Sequence, residues 1–188
     1  KELLPALGGF PTLVRPANYP AGVPGNGSII LTLEDGRRAG VANLIGRVYM
    51  EAFDDPFAVG AKVVSALREQ TPIVLVDFHA EATAEKASMA WHLDGQCTAI
   101  VGTHTHVQTA DERVMPKGTA FITDVGMTGP MDSVIGLEPA ESIRKFMTGL
   151  PGKHTVATGR PALCGVVIDA DDATGKANSI ARVYREKA

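Results

Sequence analysis

Short apolar runs alternate along the chain with segments of helical periodicity. Residues 73–78 and 97–101 are β-branched runs of the kind that form strands buried on both faces of a sheet. Between them, Thr83 is predicted to cap a helix that ends at about Leu93, before Gly95. A strand, a helix and a strand within about thirty residues predict a βαβ unit whose two strands are parallel.

The flanking patterns predict further elements on both sides of this unit. Asp35-Gly36 is a turn signal and predicts a hairpin. Asp55 and Pro56 predict a helix start, as cap and first helical residue. Its predicted buried stripe is Phe57, Ala61, Val64 and Leu67. The other predicted elements are strands 28–34, 39–45, 119–123, 163–169 and 179–184, a helix from Pro139 to about Met147, and the last turns of a helix at Leu3, Leu4 and Leu7.

Composition narrows the class of protein. The 188 residues are 45% hydrophobic and 21% charged, with a net charge of −3, which predicts one compact domain. No stripe of Lys and Arg is present, so duplex nucleic acid is not expected as a partner. No apolar run is long enough for a membrane span and no charged-then-apolar leader opens the chain, so neither a membrane nor secretion is expected. Two isolated cysteines, Cys97 and Cys164, fit a reducing cytoplasm. A homo-oligomer is left open.

Three histidines follow the two predicted parallel strands. His79 comes directly after the first, and His104 and His106 come after the second. The carboxyl ends of parallel strands share one sheet edge, where ligands of open α/β sheets bind. In an extended segment, His-x-His would point both rings to the same side. Neutral imidazole is a common ligand of transition metals, so the three residues predict a metal site, although any one of them alone is more simply a satisfied polar residue.

Other polar features are weaker candidates. Asp77 could orient a ligand or cap a turn, and the sequence does not decide between them. Glu81 and Glu85 could support the site or simply favour a helix start. No activated serine or cysteine is evident, so the chemistry is expected to come from metal-activated hydroxide. Three further features are assigned no role in the chemistry: His92, His154 and the acidic turn at 169–172.

Four blocks of this sequence resemble the YmdB-like branch of the calcineurin-type metallophosphoesterases. They cover residues 13–18, 77–86, 101–111 and 122–130, and the likeness extends over essentially the whole chain. The resemblance implies a four-layer αββα sandwich with two central sheets, and a dinuclear site holding iron or manganese. It also implies hydrolysis of small phosphodiesters such as 2′,3′-cyclic nucleotides. By the same resemblance, His79 and His104 bind the second metal and His106 the first.

The resemblance also implies residues that this sequence does not contain. In the family, an N-terminal segment supplies an Asp, a Glu-Asn pair and a Gly-Asn-His turn, whose His is the expected general acid. These would lie upstream of Lys1. Residues 1–188 are therefore expected to form the C-terminal major part of a single, N-terminally incomplete metallophosphoesterase domain.

Two other functions are weighed against a phosphodiesterase. A non-catalytic metal-binding or nucleotide-binding regulatory domain would use the same histidines and show no turnover. An amidohydrolase would need its His-x-His on the first strand of an eight-stranded barrel. The chain is too short for that barrel, and the motif lies past its middle.

Overall fold

The computed structural model describes residues 7–186 and contains nine strands and three α-helices within them. A short 3₁₀ turn occupies Leu7–Gly9. The helices are α1 (Pro56–Arg68), α2 (Thr83–Leu93) and α3 (Pro139–Thr148). The strands are β1 (Ser28–Thr32), β2 (Arg38–Ile45), β3 (Ile73–His79), β4 (Ala99–Thr103), β5 (Arg113–Val114), β6 (Ala120–Ile122), β7 (Gly129–Pro130), β8 (Pro161–Ala170) and β9 (Ala177–Glu186).

The strands form two sheets. A six-stranded sheet has the order β1-β2-β3-β4-β6-β5, and a three-stranded antiparallel sheet has the order β7-β8-β9. At the centre of the larger sheet, β2, β3, β4 and β6 are mutually parallel. Their carboxyl ends therefore share one edge, where Ile45 pairs with His79 and His79 pairs with Thr103. We call this the carboxyl edge, and the opposite one the amino edge.

The two faces of the six-stranded sheet bury different residues. Helices α1 and α2 cover one face, where Val74, Val76 and Phe78 of β3 are fully buried. The second sheet covers part of the other face, through contacts such as those of Ile168 and Ile180 with the Ala99 region. Because side chains alternate along a strand, Asp77 and His79 point away from the helical face. The resulting arrangement is mixed α/β, with two sheets in contact and helices on the other face of the larger sheet.

The structure confirms most predicted elements. The βαβ unit, the hairpin at Asp35-Gly36 and the antiparallel pair near the end of the chain are all present. Asp55 caps α1 by accepting the N–H of Phe57. Within the predicted stripe of α1, Val64 and Leu67 are buried, whereas the other two residues are half-buried.

Three details differ from the sequence-based expectations. Ala82, not Thr83, is the N-cap of α2, and its side chain makes no capping hydrogen bond. The second parallel strand begins at Ala99 rather than Cys97. Just before it, the side-chain hydroxyl oxygen of Thr98 accepts the N–H of Val74. The two-residue strands β5 and β7 were not predicted, because they are too short to show a period. The helix predicted over Leu3 and Leu4 lies outside the described residues.

No helix in the span 7–186 has the length and apolar character that crossing a bilayer requires.

Candidate metal centre

His79 is held at the end of β3 by a chain of hydrogen bonds. Thr103 donates its hydroxyl proton to Asp77 Oδ1 at 2.9 Å, and Asn43 donates to Asp77 Oδ2 at 2.7 Å. Since the proton of Thr103 is used in this way, its oxygen accepts from His79 Nδ1–H at 3.0 Å. This arrangement fixes the tautomer of His79 and leaves the lone pair of Nε2 facing outward. Asp77 thus reaches His79 through Thr103, as expected if it orients a ligand rather than caps a turn.

His104 lies directly beside His79. Its Nδ1 is 3.1 Å from His79 Nε2, and the two rings are nearly perpendicular at 80°. Its other ring nitrogen, Nε2, contacts Glu81 Oε2 at 2.6 Å. His104 thus contacts the carboxylate through one ring nitrogen and faces His79 through the other. A cation held between the two facing nitrogens would leave the contacts of His104 with Glu81 and of His79 with Thr103 in place.

His106 is oriented by a different partner. Its Nδ1 lies 2.8 Å from the carbonyl oxygen of Ile135 and donates to it, because a carbonyl oxygen can only accept. The lone pair of a neutral His106 ring is then on Nε2. A backbone carbonyl on the far nitrogen is the usual support of a metal-binding imidazole.

The loop that carries His104 and His106 is not extended, contrary to the sequence-based expectation. The φ angles of the two histidines are +125° and +65°, in the left-handed region that residues with a side chain rarely adopt. Between them, the N–H of Thr105 donates to Asp124 Oδ2 at 2.9 Å. Such backbone conformations cost about 1–3 kcal/mol each and persist where surrounding contacts enforce them. The carboxylate of Asp124 supplies one of those contacts.

A buried ion pair stands behind this loop. Lys86 Nζ of α2 lies 2.8 Å from Asp124 Oδ2, and the two side chains are 1% and 0% exposed. Asp124 also accepts the N–H of Gly126 at 2.9 Å. Burial alone would raise the pKa of Asp124, but the hydrogen bonds from Lys86, Thr105 and Gly126 outweigh it, so the pKa lies below its ordinary value. Asp124 is therefore an ionised carboxylate whose charge is compensated by Lys86. It also accepts hydrogen bonds from the backbone amides of Thr105 and Gly126.

The close approach of β4 to the segment after β6 depends on a glycine. A Cβ atom on Gly102 would lie 1.7 Å from the carbonyl oxygen of Thr123. The carbonyl of Gly102 accepts the N–H of Val125 at 2.9 Å. Any side chain at this position would push the Asp124 segment away from the histidine loop.

The electrostatics of the site favour neutral imidazole at its centre. Burial lowers the pKa of His79, and the neighbouring His104 lowers it further, while Asp77 acts in the opposite direction. A neutral ring is the form that binds a metal ion.

The donor set fits a metal ion in part. Nitrogen ligands at about 2.1 Å from one ion, separated by about 90–110°, lie about 3.0–3.4 Å apart. The two facing nitrogens of His79 and His104 are 3.1 Å apart. Over residues 7–186, however, no three His, Cys, Asp or Glu side chains are grouped so that they could hold a metal ion. The structure brings His79 and His104 together and orients His106 separately through Ile135. The assignment of all three as ligands remains a prediction.

Several contributors to this site were not found from the sequence. Thr103 and Asn43 carry no individual signal, since each acts only through its position beside Asp77 on a neighbouring strand. Lys86 was visible only as one charged residue of α2. Its burial could have been suspected from the face of the helix it shares with Met89, Ala90 and Leu93. The other predicted carboxylate, Glu85, is buried and accepts the N–H groups of Arg47 and Val48.

The remaining candidates lie elsewhere. His92 and His154 are exposed and take no part in the site. Asp171 forms the turn between β8 and β9 by accepting the N–H groups of Ala173 and Thr174. Cys97 is buried and Cys164 half-buried, and both are free thiols.

Comparison with known proteins places this arrangement in a family. The chain is 49% identical over 183 residues to the 2′,3′-cyclic-nucleotide 2′-phosphodiesterase of Bacillus subtilis (strain 168), covering 97% of this chain and 69% of the relative. The crystal structure of a hypothetical protein from Thermus thermophilus superposes with a TM-score of 0.90 at 38% identity, covering 97% of this chain and 71% of that one.

A second solved structure gives the same result. It is described as a novel phosphatase from Mycoplasma pneumoniae and superposes with a TM-score of 0.89 at 35% identity, covering 99% of this chain and 68% of that one. The family model described as YmdB-like protein matches residues 1–183. The chain therefore belongs to the YmdB-like protein family.

Proposed function

We propose that this protein is a metal-dependent phosphodiesterase that hydrolyses small phosphodiesters, with 2′,3′-cyclic nucleotides as the substrate class. The observation that carries the proposal is the pair of facing nitrogens, His79 Nε2 and His104 Nδ1, 3.1 Å apart at the carboxyl edge. The family supports the reaction type, because one relative is named as a 2′,3′-cyclic-nucleotide 2′-phosphodiesterase. We also propose that residues 1–188 are the C-terminal major part of one such domain.

In this proposal the three histidines would hold two metal ions, with iron or manganese as the expected elements. His79 and His104 would hold one ion, and His106 would hold the other through Nε2. Bound metal ions of this kind act as Lewis acids on the phosphoryl group and lower the pKa of water to about 7. Imidazole ligands suit several first-row metals, and Mn²⁺ serves as the test ion.

The other residues of the site keep the ligands in place. Asp77 and Thr103 hold His79 in the tautomer with a free Nε2. The Glu81 carboxylate accepts from His104 Nε2 and increases the electron density at Nδ1. The Asp124 carboxylate holds the N–H of Thr105, and with it the strained turn that separates His104 from His106.

Two free cysteines are compatible with a reducing compartment, and the proposal places the protein in the cytoplasm.

Turnover by the full-length protein, with any sequence that precedes Lys1, tests the proposal. We expect Mn²⁺-dependent hydrolysis of 2′,3′-cyclic AMP and of bis-p-nitrophenyl phosphate. His104→Ala and His106→Ala should each abolish it while circular dichroism and thermal unfolding stay close to those of the wild type. The matched control is His92→Ala, which removes an exposed histidine of α2 and should retain activity.

Two outcomes would contradict the proposal. One is wild-type rates in either variant of the His-x-His motif. The other is bound Mn²⁺ without turnover of any phosphodiester, which would favour the non-catalytic metal-binding domain instead.

A further inference from the structure

A cleft borders His104, and His106 is not among the residues that line it. It has a volume of about 380 Å³, within the range of small-molecule sites. Its walls are mostly aromatic or apolar, and they are Tyr19, Ile45, Tyr49, Met50, Glu51, Phe53 and His104. Because His104 belongs both to this wall and to the facing pair with His79, a molecule held at that pair would extend into the cleft.

The loop that forms most of the wall is fixed at its base. It spans residues 46–54, between β2 and α1. The side chain of Asn18, which is fully buried, donates to the carbonyls of Ile45 at 2.8 Å and Asp54 at 3.0 Å, and accepts the N–H of Ile45 at 2.9 Å. Glu85 holds the N–H of Arg47 at 2.9 Å on the other side. The two ends of the loop are thus joined, and its tip is presented on a rigid base.

The tip of the loop presents an unpacked aromatic ring. Tyr49 is 89% exposed, and its φ is +62°, a conformation that residues with a side chain rarely adopt. Tyr19 and Phe53, in contrast, pack against each other with ring centroids 4.5 Å apart and ring planes tilted by 39°. All three rings line the cleft, and an exposed ring in such a cleft can accept a flat aromatic group by stacking.

We propose that this cleft is the nucleobase subsite of the enzyme, in which Tyr49 stacks on the base of a nucleoside 2′,3′-cyclic phosphate whose phosphate lies at His79 and His104. The inference rests on the proposed function and adds the group that would distinguish a cyclic nucleotide from other phosphodiesters. The carboxylate of Glu51 in the wall disfavours a second phosphate in the cleft and is compatible with an uncharged ring.

Two substrates with the same five-membered cyclic phosphodiester separate base recognition from chemistry. They are 2′,3′-cyclic AMP and glycerol 1,2-cyclic phosphate, which has no base. For Tyr49→Ala we expect KM for cyclic AMP to rise about 5-fold or more, the lower end of what base stacking contributes. The kcat should be retained, because stacking stabilises substrate and transition state equally. The KM for the glycerol substrate should stay close to that of the wild type.

Two further variants control for the loss of any exposed ring. Tyr49→Phe keeps the stacking face and should restore the wild-type KM for cyclic AMP. Trp91→Ala removes a ring that is 59% exposed near the carboxyl-terminal end of α2, at the amino edge, and should leave both substrates unaffected. Equal changes with both substrates, or no change with cyclic AMP, would overturn the subsite.

Equilibrium binding keeps this inference distinct from the proposed function. Titration calorimetry of the Mn²⁺-treated protein should show tighter binding of adenosine 3′-phosphate than of inorganic phosphate, and Tyr49→Ala should remove the difference. If the protein turns over no phosphodiester, the proposed function fails while this titration still tests the subsite. If it turns over both substrates with no difference attributable to Tyr49, the subsite alone fails.

Discussion

At both edges of the six-stranded sheet a buried carboxylate anchors a loop, but the two loops differ in conformation. At the amino edge, the buried carboxylate of Asp94 accepts the backbone N–H groups of Lys117 and Thr119. At the carboxyl edge, the buried carboxylate of Asp124 accepts the N–H groups of Thr105 and Gly126. Each carboxylate fixes a loop against the ends of parallel strands.

What differs is the conformation that each carboxylate maintains. Among the non-glycine residues of the loop 115–119, none has a positive φ, whereas both histidines beside Thr105 do. Only Asp124 has a buried cation, Lys86, as a partner. The polar groups at the amino edge satisfy the backbone, and those at the carboxyl edge also maintain a strained loop that presents imidazoles. Buried polar residues are therefore informative about function only together with the conformation they hold.

The largest expected effect comes from removing Lys86, the buried cation at the carboxyl edge. Lys86→Met leaves the Asp124 carboxylate buried without a counter-charge, which should lower the free energy of unfolding by about 3–5 kcal/mol in urea denaturation. Lys117→Met changes an exposed lysine of the amino-edge loop and is the matched control, with little expected change. Similar losses in the two variants would remove the distinction between the edges.

A second prediction exchanges the two anchoring carboxylates for amides. Asp94→Asn should lower stability by about 1–3 kcal/mol, because one backbone N–H then faces an amide donor. Asp124→Asn should lower it by about 3–5 kcal/mol, because the buried Lys86 also loses its counter-charge. Only Asp124→Asn should weaken Mn²⁺ binding, by about 10- to 100-fold, as measured by calorimetry. Equal weakening by Asp94→Asn would show that metal affinity follows overall stability rather than the anchored loop.

A third prediction uses two threonines in matching positions. The hydroxyl of Thr103 joins Asp77 to His79 at the carboxyl edge, and that of Thr119 joins the Gly95 N–H to the carbonyl of Cys97 at the amino edge. Thr103→Val should lower Mn²⁺ affinity by about 10-fold, because His79 loses its fixed tautomer.

Thr119→Val serves as the control for that experiment. It should lower the melting temperature and leave Mn²⁺ affinity as in the wild type. If Thr103→Val also affects only stability, Asp77 does not orient a ligand.

The smallest expected effect concerns the amino edge alone. Burial raises the pKa of the Cys97 thiol to about 12 from an ordinary value of 9.0. Folding therefore favours the neutral thiol. The stability that this group contributes is fully present below about pH 9 and is lost as the pH rises from 9 toward the folded-state pKa of about 12. The free energy of unfolding should fall by roughly 1 kcal/mol per pH unit from this group.

Urea denaturation between about pH 8 and 10.5 measures this slope. Cys97→Ala should remove that part of the pH dependence, whereas Cys164→Ala, which removes a half-buried thiol, should leave most of it. An unchanged slope in Cys97→Ala would mean that the amino edge opens to solvent well before the molecule unfolds.

Much of the fold could be predicted because it depends on local patterns. The buried runs of β3 and β4, the Asp55-Pro56 start of α1 and the Asp35-Gly36 turn each carry their signal within a few residues. The same patterns placed His79, His104 and His106 after parallel strands. The resemblance of four sequence blocks added the family, which the comparisons confirm.

The sequence by itself therefore determined the order of elements, the family and the strand ends from which the histidines project, because these follow from periodicity and motif. Only the tertiary structure decided that the His-x-His loop turns through positive φ, that Thr103 and Asp77 fix His79, and that Lys86 and Asp124 lie together. Partners in these contacts are 19 to 38 residues apart in the chain. Hydrogen-bond geometry between such distant residues depends on how the strands pack, and no local pattern encodes it.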